Sequence, residues 1–511
     1  MTTTDDRNEL PVHPISGPAP SPWRQRALVP VLVSLGMLVA IISSLGAPLI
    51  PTIAAVDHVP VADAQWSLTV TMLVGAVATP AMGRLGDGPH RRIVILTGLA
   101  TVLVGSLLAA LPLGFACLIT GRALQGVGLG LVPLAIATAR DSLPPERARS
   151  ALATLSLTTA AGVGIGYPVT GLLAESLGMY AGFWFAVIAT TLAFIAAAVV
   201  IPTAPRRPAR PMDVTGALLL TLGMSGLLFA LTQAERWGWG SPRLLVLGAV
   251  SVLLLAGWAM HQLRVTHPLV DLRLVRDRTV FAAHLTTMMG GVGMYLLISL
   301  VTRYVQTPSS LGYGFGASVV VTGLILVPFS AGSLVAGRVV RLLVRTQPPI
   351  RLLPVSCLLS LAALLSFVFA HGALWEVFVT MAVAGLGVGV NFAVTPGLVV
   401  GSVPAHETGS AMSFNQVVKY IGYSAGSALS AVILQAATTP GHDLPPENGY
   451  RTAGLVGCAV WAATAVVAYV LVRPGTRGPS AQVRIGRPAP AADGVPEPGG
   501  ARLVADTGGK G

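Results

Sequence analysis

The stretch "GRLGDGPHRR", residues 83–92, places one Asp, one His and three Arg between two long apolar runs. Four of its ten residues are Gly or Pro, which is typical of a short connection between two elements. The chain around it has 511 residues, of which 53% are hydrophobic and only 10% are charged. A soluble protein carries about 25% charged residues. The stretch is therefore predicted to be a charged loop between two membrane-spanning segments.

The chain contains fourteen apolar runs of the length that a membrane span requires, about 20 mostly apolar residues. Continuous runs of this length form helices, because the strands of membrane barrels are shorter and alternate in polarity. The sequence therefore predicts an all-α membrane protein with fourteen transmembrane helices. The runs lie at 27–50, 66–84, 91–111, 115–139, 150–174, 181–201, 213–232, 242–261, 280–302, 317–340, 351–370, 374–400, 408–436 and 451–473.

Lys and Arg are distributed unevenly between the two sets of connections. If both termini are cytoplasmic, the cytoplasmic segments hold 26 of the 32 Lys and Arg residues and the outer loops hold four. This bias predicts a multi-pass protein with both termini in the cytoplasm. The net charge of +12 is spread over many short loops, so the sequence does not predict the basic patch of a nucleic-acid-binding protein.

The two ends of the chain differ from the membrane segments in composition. Residues 1–26 are polar and Pro-rich without a signal-peptide pattern, and residues 474–511 are rich in Pro, Gly and Ala, so both are predicted to be disordered cytoplasmic tails. The three cysteines lie in apolar runs without the spacing of a metal site. No nucleotide-binding loop or catalytic triad is recognisable, so we expect no cofactor, no metal and no enzymatic activity.

The opening stretch resembles the loop signature of the major facilitator superfamily, Gly-x-Leu-Ala-Asp-Arg-x-Gly-Arg-Arg/Lys. Gly83, Leu85, Asp87, Arg91 and Arg92 match it. A tight loop that carries both signs of charge can hold neighbouring helices together in one conformation and release them in another. We therefore predict a conformational latch at Gly83, Asp87, Arg91 and Arg92. The alternative interpretation is a positive-inside loop with no further role.

Two further stretches carry the same resemblance. "LITGRALQGVGLGLVP", residues 118–133, resembles the fourth-helix pattern Arg-x-x-Gln-Gly-x-Gly-x-x-x-x-Pro. "GVGIGYPVTGLL", residues 162–173, resembles the fifth-helix antiporter motif Gly-Pro-x-x-Gly-Gly, with a displaced proline and one of the paired glycines. Small residues let membrane helices approach closely, which suits a gating helix, although static packing is the alternative. The candidate gating residues are Gly162, Gly166, Pro168 and Gly171.

The fourteen predicted helices resemble the drug:proton antiporter branch of this superfamily. The resemblance implies a secondary transporter that exports a drug, antibiotic or secondary metabolite from a bacterium by alternating access, coupled to a proton. It further implies a monomer in the lipid of the plasma membrane. An uptake permease of the same fold is the first alternative, and a membrane sensor is a remote one.

An internal repeat predicts how the helices are grouped. "SLPPERARSA", residues 142–151, parallels "SVPAHETGSA", residues 402–411, and at the same shift Gly162 meets Gly422 and Gly166 meets Gly426. We therefore expect two six-helix halves at 27–201 and 279–473. The linker at 202–278 then contains the two additional helices. In such transporters the substrate lies near mid-bilayer between the halves.

Arg122 and Lys419 are the two basic residues well inside predicted runs. A charge buried in a membrane costs about 2.5–3.5 kcal/mol and usually faces a cavity or a partner. We therefore assign both to the translocation pathway, together with the polar residues Gln125, Asn391, Asn415 and Gln416. A lone buried cation would favour neutral or anionic substrates over multiply charged cations. The alternatives are extension to the membrane surface and hydrogen bonding to backbone carbonyls.

The acidic residues are predicted to lie outside the middle of every run. Related antiporters commonly carry an Asp in the first helix, and the corresponding position here falls near Ile42. The usual carboxylate for proton coupling is therefore missing. His284, inside the ninth run, titrates in the physiological range as a free side chain and is the candidate proton site. A neutral histidine that is hydrogen-bonded near the membrane surface is the alternative.

The charge distribution makes a prediction about orientation. A cysteine introduced at Ser309 is expected to react with a membrane-impermeant reagent added outside intact cells, whereas one at Arg207 is expected to react only after the cells are opened. The reverse pattern would reject the orientation.

Overall fold

The computed structural model describes residues 22–45, 49–64, 66–203, 211, 213–238, 240–266, 268–273, 277–404, 407–438 and 444–472. Residues 1–21 of the predicted tail 1–26, the predicted tail 474–511 and the labelling site Arg207 lie outside these ranges. The α-helices of the described ranges are α1 (Pro22–Ser44), α2 (Ile50–Val56), α3 (Val61–Ala64), α4 (Trp66–Gly86), α5 (Arg91–Ala110), α6 (Phe115–Gly126), α7 (Leu131–Ser142), α8 (Pro145–Leu177), α9 (Ala181–Val200), α10 (Val214–Trp237), α11 (Pro242–Arg264), α12 (Arg278–Gln306), α13 (Val319–Leu343), α14 (Leu352–Phe369), α15 (Leu374–Gly401), α16 (Thr408–Ala437) and α17 (Glu447–Val472).

Thirteen helical stretches of the described chain are long and apolar enough to cross a membrane. Each coincides with one predicted run, and α6 and α7 together form one of them, Phe115–Ser142. The remaining predicted run, 150–174, lies in α8, a helix of 33 residues, which is about 50 Å long at 1.5 Å per residue. The predicted all-helical membrane architecture is thereby confirmed for the described residues.

Three boundaries differ from those predicted. Within the described residues α1 starts at Pro22, so it includes part of the segment 1–26 predicted as a tail, and a proline is tolerated in a first helical turn because that turn needs no backbone N–H partner. α1 ends at Ser44 rather than at residue 50, and Ile50–Val56 forms the separate helix α2. The fourth run is interrupted by a 3-10 turn at Val127–Gly130, where glycines tolerate the change in winding.

The two copies of the internal repeat pack against their neighbours in the same way. The repeated glycines of α8 face α1 and those of α16 face α12; they are Gly162, Gly166, Gly422 and Gly426. A Cβ on Gly166 would lie 2.0 Å from the Ser44 hydroxyl, and one on Gly426 would lie 2.1 Å from the Val292 carbonyl oxygen. Two related halves would produce this pairing, while their boundaries at residues 201 and 279 stay predictions.

The additional helices α10 and α11 pack against each other and lie beside both halves. Trp66 of α4 contacts Phe229 of α10 with ring centroids 5.4 Å apart, and Trp258 of α11 contacts Phe414 of α16 at 6.1 Å. Leu253 of α11 is 70% exposed, as expected for an apolar side chain that faces lipid. The pair therefore covers one side of the junction between α4 and α16.

Candidate functional site

The loop between α4 and α5 brings Asp87 onto the first turn of α16. Its carboxylate accepts hydrogen bonds from the Gly409 backbone N at 2.7 Å, the Ser410 backbone N at 2.9 Å and the Ser410 hydroxyl at 2.6 Å. The first N–H groups of a helix have no partner within the helix, so an anion is favoured there. The buried Asp87 therefore joins the predicted N-terminal half to the predicted C-terminal half.

Burial raises the pKa of Asp87 above its usual range, while hydrogen bonds from Ser410 and Gly409 and the charge of Arg91 oppose the rise. If the halves separate and water reaches the carboxyl, the effect of burial is lost.

Two glycines allow α4 and α16 to approach closely enough for this contact. A Cβ on Gly83 would lie 2.0 Å from the Ser413 hydroxyl and 2.8 Å from the Gly409 carbonyl oxygen. A Cβ on Gly409 would lie 2.7 Å from an Asp87 carboxylate oxygen. A side chain at either position would push the helices apart, so the reach of Asp87 depends on both glycines.

A second contact between the halves involves Arg140, which sequence reasoning counted only as a cytoplasmic charge. Arg140, near the end of α7, donates to the Val403 carbonyl oxygen at 3.0 Å and to the Thr408 hydroxyl. Its partners flank the loop that leads into α16, beside the amides that bind Asp87. The sequence marks this loop only as one copy of the internal repeat, residues 402–411. It does not reveal the contact with Arg140, because a backbone carbonyl acceptor leaves no side-chain motif.

Arg91 and Arg92, predicted as latch residues, bind within the N-terminal half. Arg91 donates to the Gly86 carbonyl oxygen and to the Asp141 carboxylate, both at 2.6 Å, and Arg92 donates to the Ala198 carbonyl oxygen at 2.6 Å. The first turn of α5 lies beside the ends of α4, α7 and α9, so acceptors in the same half satisfy both cations. Their hydrogen bonds hold the loop within this half, and their role in a latch stays a prediction.

Arg122 and Gln125, predicted on the pathway, also lie inside the N-terminal half. The Arg122 guanidinium donates to the Ser67 carbonyl oxygen at 2.8 Å, the Ile42 carbonyl oxygen at 2.9 Å and the Gln125 side-chain oxygen at 2.7 Å. Ile42 belongs to the last turn of α1, where carbonyls lack helical partners. Arg122 therefore caps the end of α1. Neither residue lines the crevices described next, and their place on the pathway stays a prediction.

A narrow crevice lies between the halves at the level of Lys419. The Lys419 Nζ lies 4.7 Å from the centre of the Phe392 ring, which is a cation–π distance. The structure brings Lys419, Asn415 and Gln416 together on a surface to which both halves contribute. The lining residues come from α7, α8, α12, α15 and α16 and are Val132, Ile136, Ser156, Thr287, Phe392, Thr395, Pro396, Met412, Asn415, Gln416 and Lys419.

A chain of polar side chains runs through the C-terminal half beside this crevice. Asn415 Nδ2 lies 3.1 Å from His284 Nδ1 and 3.4 Å from Thr287 Oγ1. Thr287 Oγ1 lies 3.5 Å from Thr395 Oγ1, which donates to Asn391 Oδ1 at 3.4 Å. The Asn391 amide nitrogen is buried without a hydrogen-bond partner among the described residues. Asn391 is thus the last member of this series of polar side chains, one helical turn from Thr395.

His284 lines a second crevice, closer to the Asp87 end of the bundle. Leu269 and Val270 of the linker form one wall, and the His284 ring contacts Phe414 edge-on with centroids 5.1 Å apart. Because Asn415 contacts His284 and lines the first crevice, these two side chains connect the crevices. The charged residues of the second crevice are Arg84, Asp271 and Glu407.

The additional helices hold the linker wall of this second crevice in place. Asp213, the N-cap of α10, accepts from the Gln262 amide at 2.8 Å, and the Gln262 oxygen accepts from the Val270 backbone N at 3.2 Å. Although burial opposes it, hydrogen bonds from His261, Gly216 and Gln262 hold the pKa of Asp213 below its usual range. Asp213 is therefore charged near neutral pH and fixes the linker to the end of α11.

The predicted gating residues on α8 face two different helices. Gly162 and Gly166 contact α1, whereas a Cβ on Gly171 would lie 3.7 Å from Val320 of α13. Pro168 is also at the α13 side, since a Cβ on Gly323 would lie 3.4 Å from its nitrogen. α8 thus touches its own half and the other half, and its gating role stays a prediction.

Many apolar helices, the contacts of Asp87 and Arg140 with the segment that leads into α16, and a narrow polar crevice beside Lys419 are the features expected of a membrane transporter. The sequence profile of the Major Facilitator Superfamily matches residues 32–427 and, in a second match, residues 321–492. The chain belongs to this superfamily. In the described residues, no group of three or more His, Cys, Asp or Glu side chains is arranged to hold a metal ion.

Several characterised proteins are similar along most of the chain. The tetracenomycin C resistance and export protein of Streptomyces glaucescens is 29% identical over 84% of this chain and 79% of its own length. The puromycin resistance protein pur8 of Streptomyces alboniger is 28% identical over 92% and 96%. The multidrug efflux pump LfrA of Mycolicibacterium smegmatis is 27% identical over 88% of each chain.

The fold is also similar to a solved structure, the human organic anion transporter MFSD10 (TETRAN). The two align with a TM-score of 0.60 at 17% identity, over 87% of this chain and 99% of that chain. At this level of identity the likeness establishes the fold alone.

Replacing Asp87 with Asn is expected to open the Asp87 end of the bundle without unfolding the protein. The amide keeps the shape but loses the charge and puts an NH2 group among three donors. Losing charge-assisted hydrogen bonds of this kind costs about 2 kcal/mol, or a roughly thirtyfold shift in the ratio of open to closed forms. The alkylation rate of a cysteine introduced at Ser156 measures access to the crevice, once Cys117, Cys357 and Cys458 are replaced by alanine.

The matched control for this prediction is Glu146→Gln. It removes an exposed carboxylate at the start of α8, near the same end of the bundle, and is expected to leave the alkylation rate unchanged. Equal rates in the two variants would show that Asp87 is not a latch.

Proposed function

We propose that the chain exports small organic molecules, of the class of drugs, antibiotics or secondary metabolites, across a bacterial plasma membrane by alternating access. The observation that carries this proposal is the closure of one end of the crevice by Asp87 and Arg140, each of which bonds residues of the other half. Such contacts must break before that end can open, which gives the bundle two arrangements.

Similar proteins support the direction and the class of substrate. One is named for resistance to tetracenomycin C and its export, one for puromycin resistance and one for multidrug efflux. Each aligns with 84% or more of this chain, so the similarity includes the latch loop, α8 and the crevice. Export also fits the resemblance of residues 162–173 to the antiporter motif.

In the same proposal, the chain works as a monomer surrounded by lipid, with both termini in the cytoplasm. One chain supplies every described wall of the crevice, so a second copy is not needed to complete it. With this orientation, the Asp87 end of the bundle faces the cytoplasm.

Inside-out membrane vesicles that contain the protein are expected to accumulate at least one small organic molecule of a panel that includes puromycin, dansylglycine and its neutral amide dansylglycinamide, when their lumen is acidified. The cytoplasmic face, from which an exporter takes its substrate, is then turned to the medium. Asp87→Asn is expected to slow accumulation about tenfold or more at equal protein level. Accumulation only in right-side-out vesicles would indicate an uptake permease and would contradict export.

We propose the proton as the coupling ion and His284 as its site. Asn415 donates its Nδ2 to His284 Nδ1 at 3.1 Å. A proton on Nδ1 would turn this acceptor into a donor, so two donors would face each other. Asn415 would then have to rotate its amide, which changes the group that it presents to Thr287 and to the crevice. Protonation in the second crevice is thereby transmitted to the first.

The charged groups around His284 come from four segments of the chain. Arg84 of α4, Asp271 of the linker and Glu407 before α16 line the same crevice. Lys419 lies in the adjoining crevice, one turn beyond Asn415 on α16. The two crevices that His284 connects therefore contain two cationic side chains and two carboxylates. A proton on His284 raises the net charge of this group by one.

His284→Asn is expected to abolish proton-driven accumulation while retaining exchange of labelled for unlabelled substrate. The shorter amide keeps a polar group near the Nδ1 position but cannot titrate, so substrate crosses without net proton movement. Both rates can be measured in the same vesicles, with the release of protons followed by a pH-sensitive dye.

The control is His58→Asn, which changes an exposed histidine in a left-handed backbone conformation that asparagine tolerates. This variant is expected to behave as the original protein in both assays. Normal proton-driven accumulation by His284→Asn would exclude His284 as the coupling site.

A further inference from the structure

We propose that Lys419 recognises the substrate, and that the exported molecules carry one ionised acidic group, a carboxylate or a phenolate, on an apolar or aromatic body. The proposal rests on the proposed export function and names its substrate class. Four observations on the described residues support it.

The first observation is the position of Lys419. It lies eleven residues after Thr408, the first residue of α16, which places it about 16 Å along the helix and near the middle of a hydrocarbon core about 30 Å thick. The crevice beside it is lined by Val132 and Ile136 of α7 as well as by α15 and α16. A molecule held at Lys419 therefore contacts both halves, as a molecule carried by alternating access must.

The second observation is that Lys419 lacks a counter-ion. Within the part of the chain that the structure describes, the Nζ forms no ion pair or hydrogen bond, and its partner is the face of the Phe392 ring. An ammonium group carries three donors, and a buried charge is costly unless it is paired. A ligand oxyanion supplies the charge and the acceptors that the protein does not.

Arg122 is a buried cation whose hydrogen-bond donors have acceptors within the protein. Its guanidinium has carbonyl partners on two neighbouring helices and the Gln125 side chain. Lys419 differs in that it borders a narrow crevice and has no such acceptors among the described residues. This contrast favours a binding role for Lys419 over a structural one.

The third observation is the character of the remaining walls. Val132, Ile136, Pro396 and Met412 are apolar, so they suit an apolar or aromatic body rather than a polyanion. Phe392 lies directly under the Lys419 Nζ and offers a ring face to an aromatic substrate once an oxyanion has bound the ammonium.

The fourth observation is the set of polar side chains around the ammonium. Gln416 and Asn415 precede it by about one helical turn and also line the crevice. The Gln416 amide nitrogen donates one hydrogen to the Tyr420 hydroxyl, and its second hydrogen can add to the contact with an oxyanion. The described lining includes no carboxylate, so a dication would meet Lys419 without compensation and be repelled.

The test uses two probes that differ in one group, dansylglycine and its neutral amide dansylglycinamide, with propidium as a dication. In inside-out vesicles the original protein is expected to transport dansylglycine with the lowest KM and to exclude propidium. Lys419→Met is expected to raise the KM for dansylglycine about tenfold and to change that for the amide less than about twofold. Lys419→Arg keeps the charge and is expected to retain the preference.

Binding to the purified protein in detergent, followed by dansyl fluorescence, separates this proposal from the export function. If dansylglycine binds to the original protein and not to Lys419→Met, yet is not transported, recognition by Lys419 stands and export fails. Thermal unfolding checks that each variant is folded, and Lys419→Gln replaces Lys419→Met if the latter is not. Equal binding of the two probes, an unchanged ratio in the folded Lys419 variant, or efficient export of propidium would overturn the proposal.

Discussion

The arrangement of the two halves depends on one buried carboxylate. Asp87 reaches the amides of Gly409 and Ser410 only because α4 and α16 cross at glycines, and a buried charge of this kind is tolerated only when all its donors are present. The contact is therefore strong when complete and weak when partly broken. This property suits a joint with two arrangements, because a small displacement of α16 removes several hydrogen bonds together and lets water reach the carboxyl.

The buried cations divide into those that maintain the structure and one that is free to bind. Arg91, Arg92 and Arg122 each find backbone or side-chain acceptors within one half, and they fix the latch loop and the interrupted end of α1. Lys419 contacts an aromatic ring and borders a narrow crevice. Because the cost of burying a charge falls as its partners increase, the well-paired arginines suit structural supports, whereas Lys419 suits the substrate recognition proposed above.

The additional helices α10 and α11 hold one wall of the second crevice, which adjoins the Lys419 crevice and is closer to the Asp87 end of the bundle. Asp213 and Gln262 fix the linker through the Val270 amide, and that linker forms a wall of the crevice that contains His284. His284 in turn contacts Asn415, which belongs to both crevices. A change in charge at His284 is thus only one side chain away from the proposed substrate site. Proton and substrate can influence each other there without sharing a position.

The sequence by itself determined the helices, the superfamily and the residue types of the site. Apolar runs specify membrane helices because lipid offers backbone groups no other partners, and the latch signature is local in sequence, so Asp87 and Gly83 could be identified from it. The sequence also singled out Lys419 as a buried cation, but not the direction in which it faces. Only the tertiary structure decided that Arg122 caps α1, that Arg91 binds Asp141, that Arg140 bonds the loop before α16 and that Asn391 hydrogen-bonds Thr395. The first three of those facts depend on acceptors tens to hundreds of residues away, many of them backbone carbonyls, which every residue possesses and no motif records.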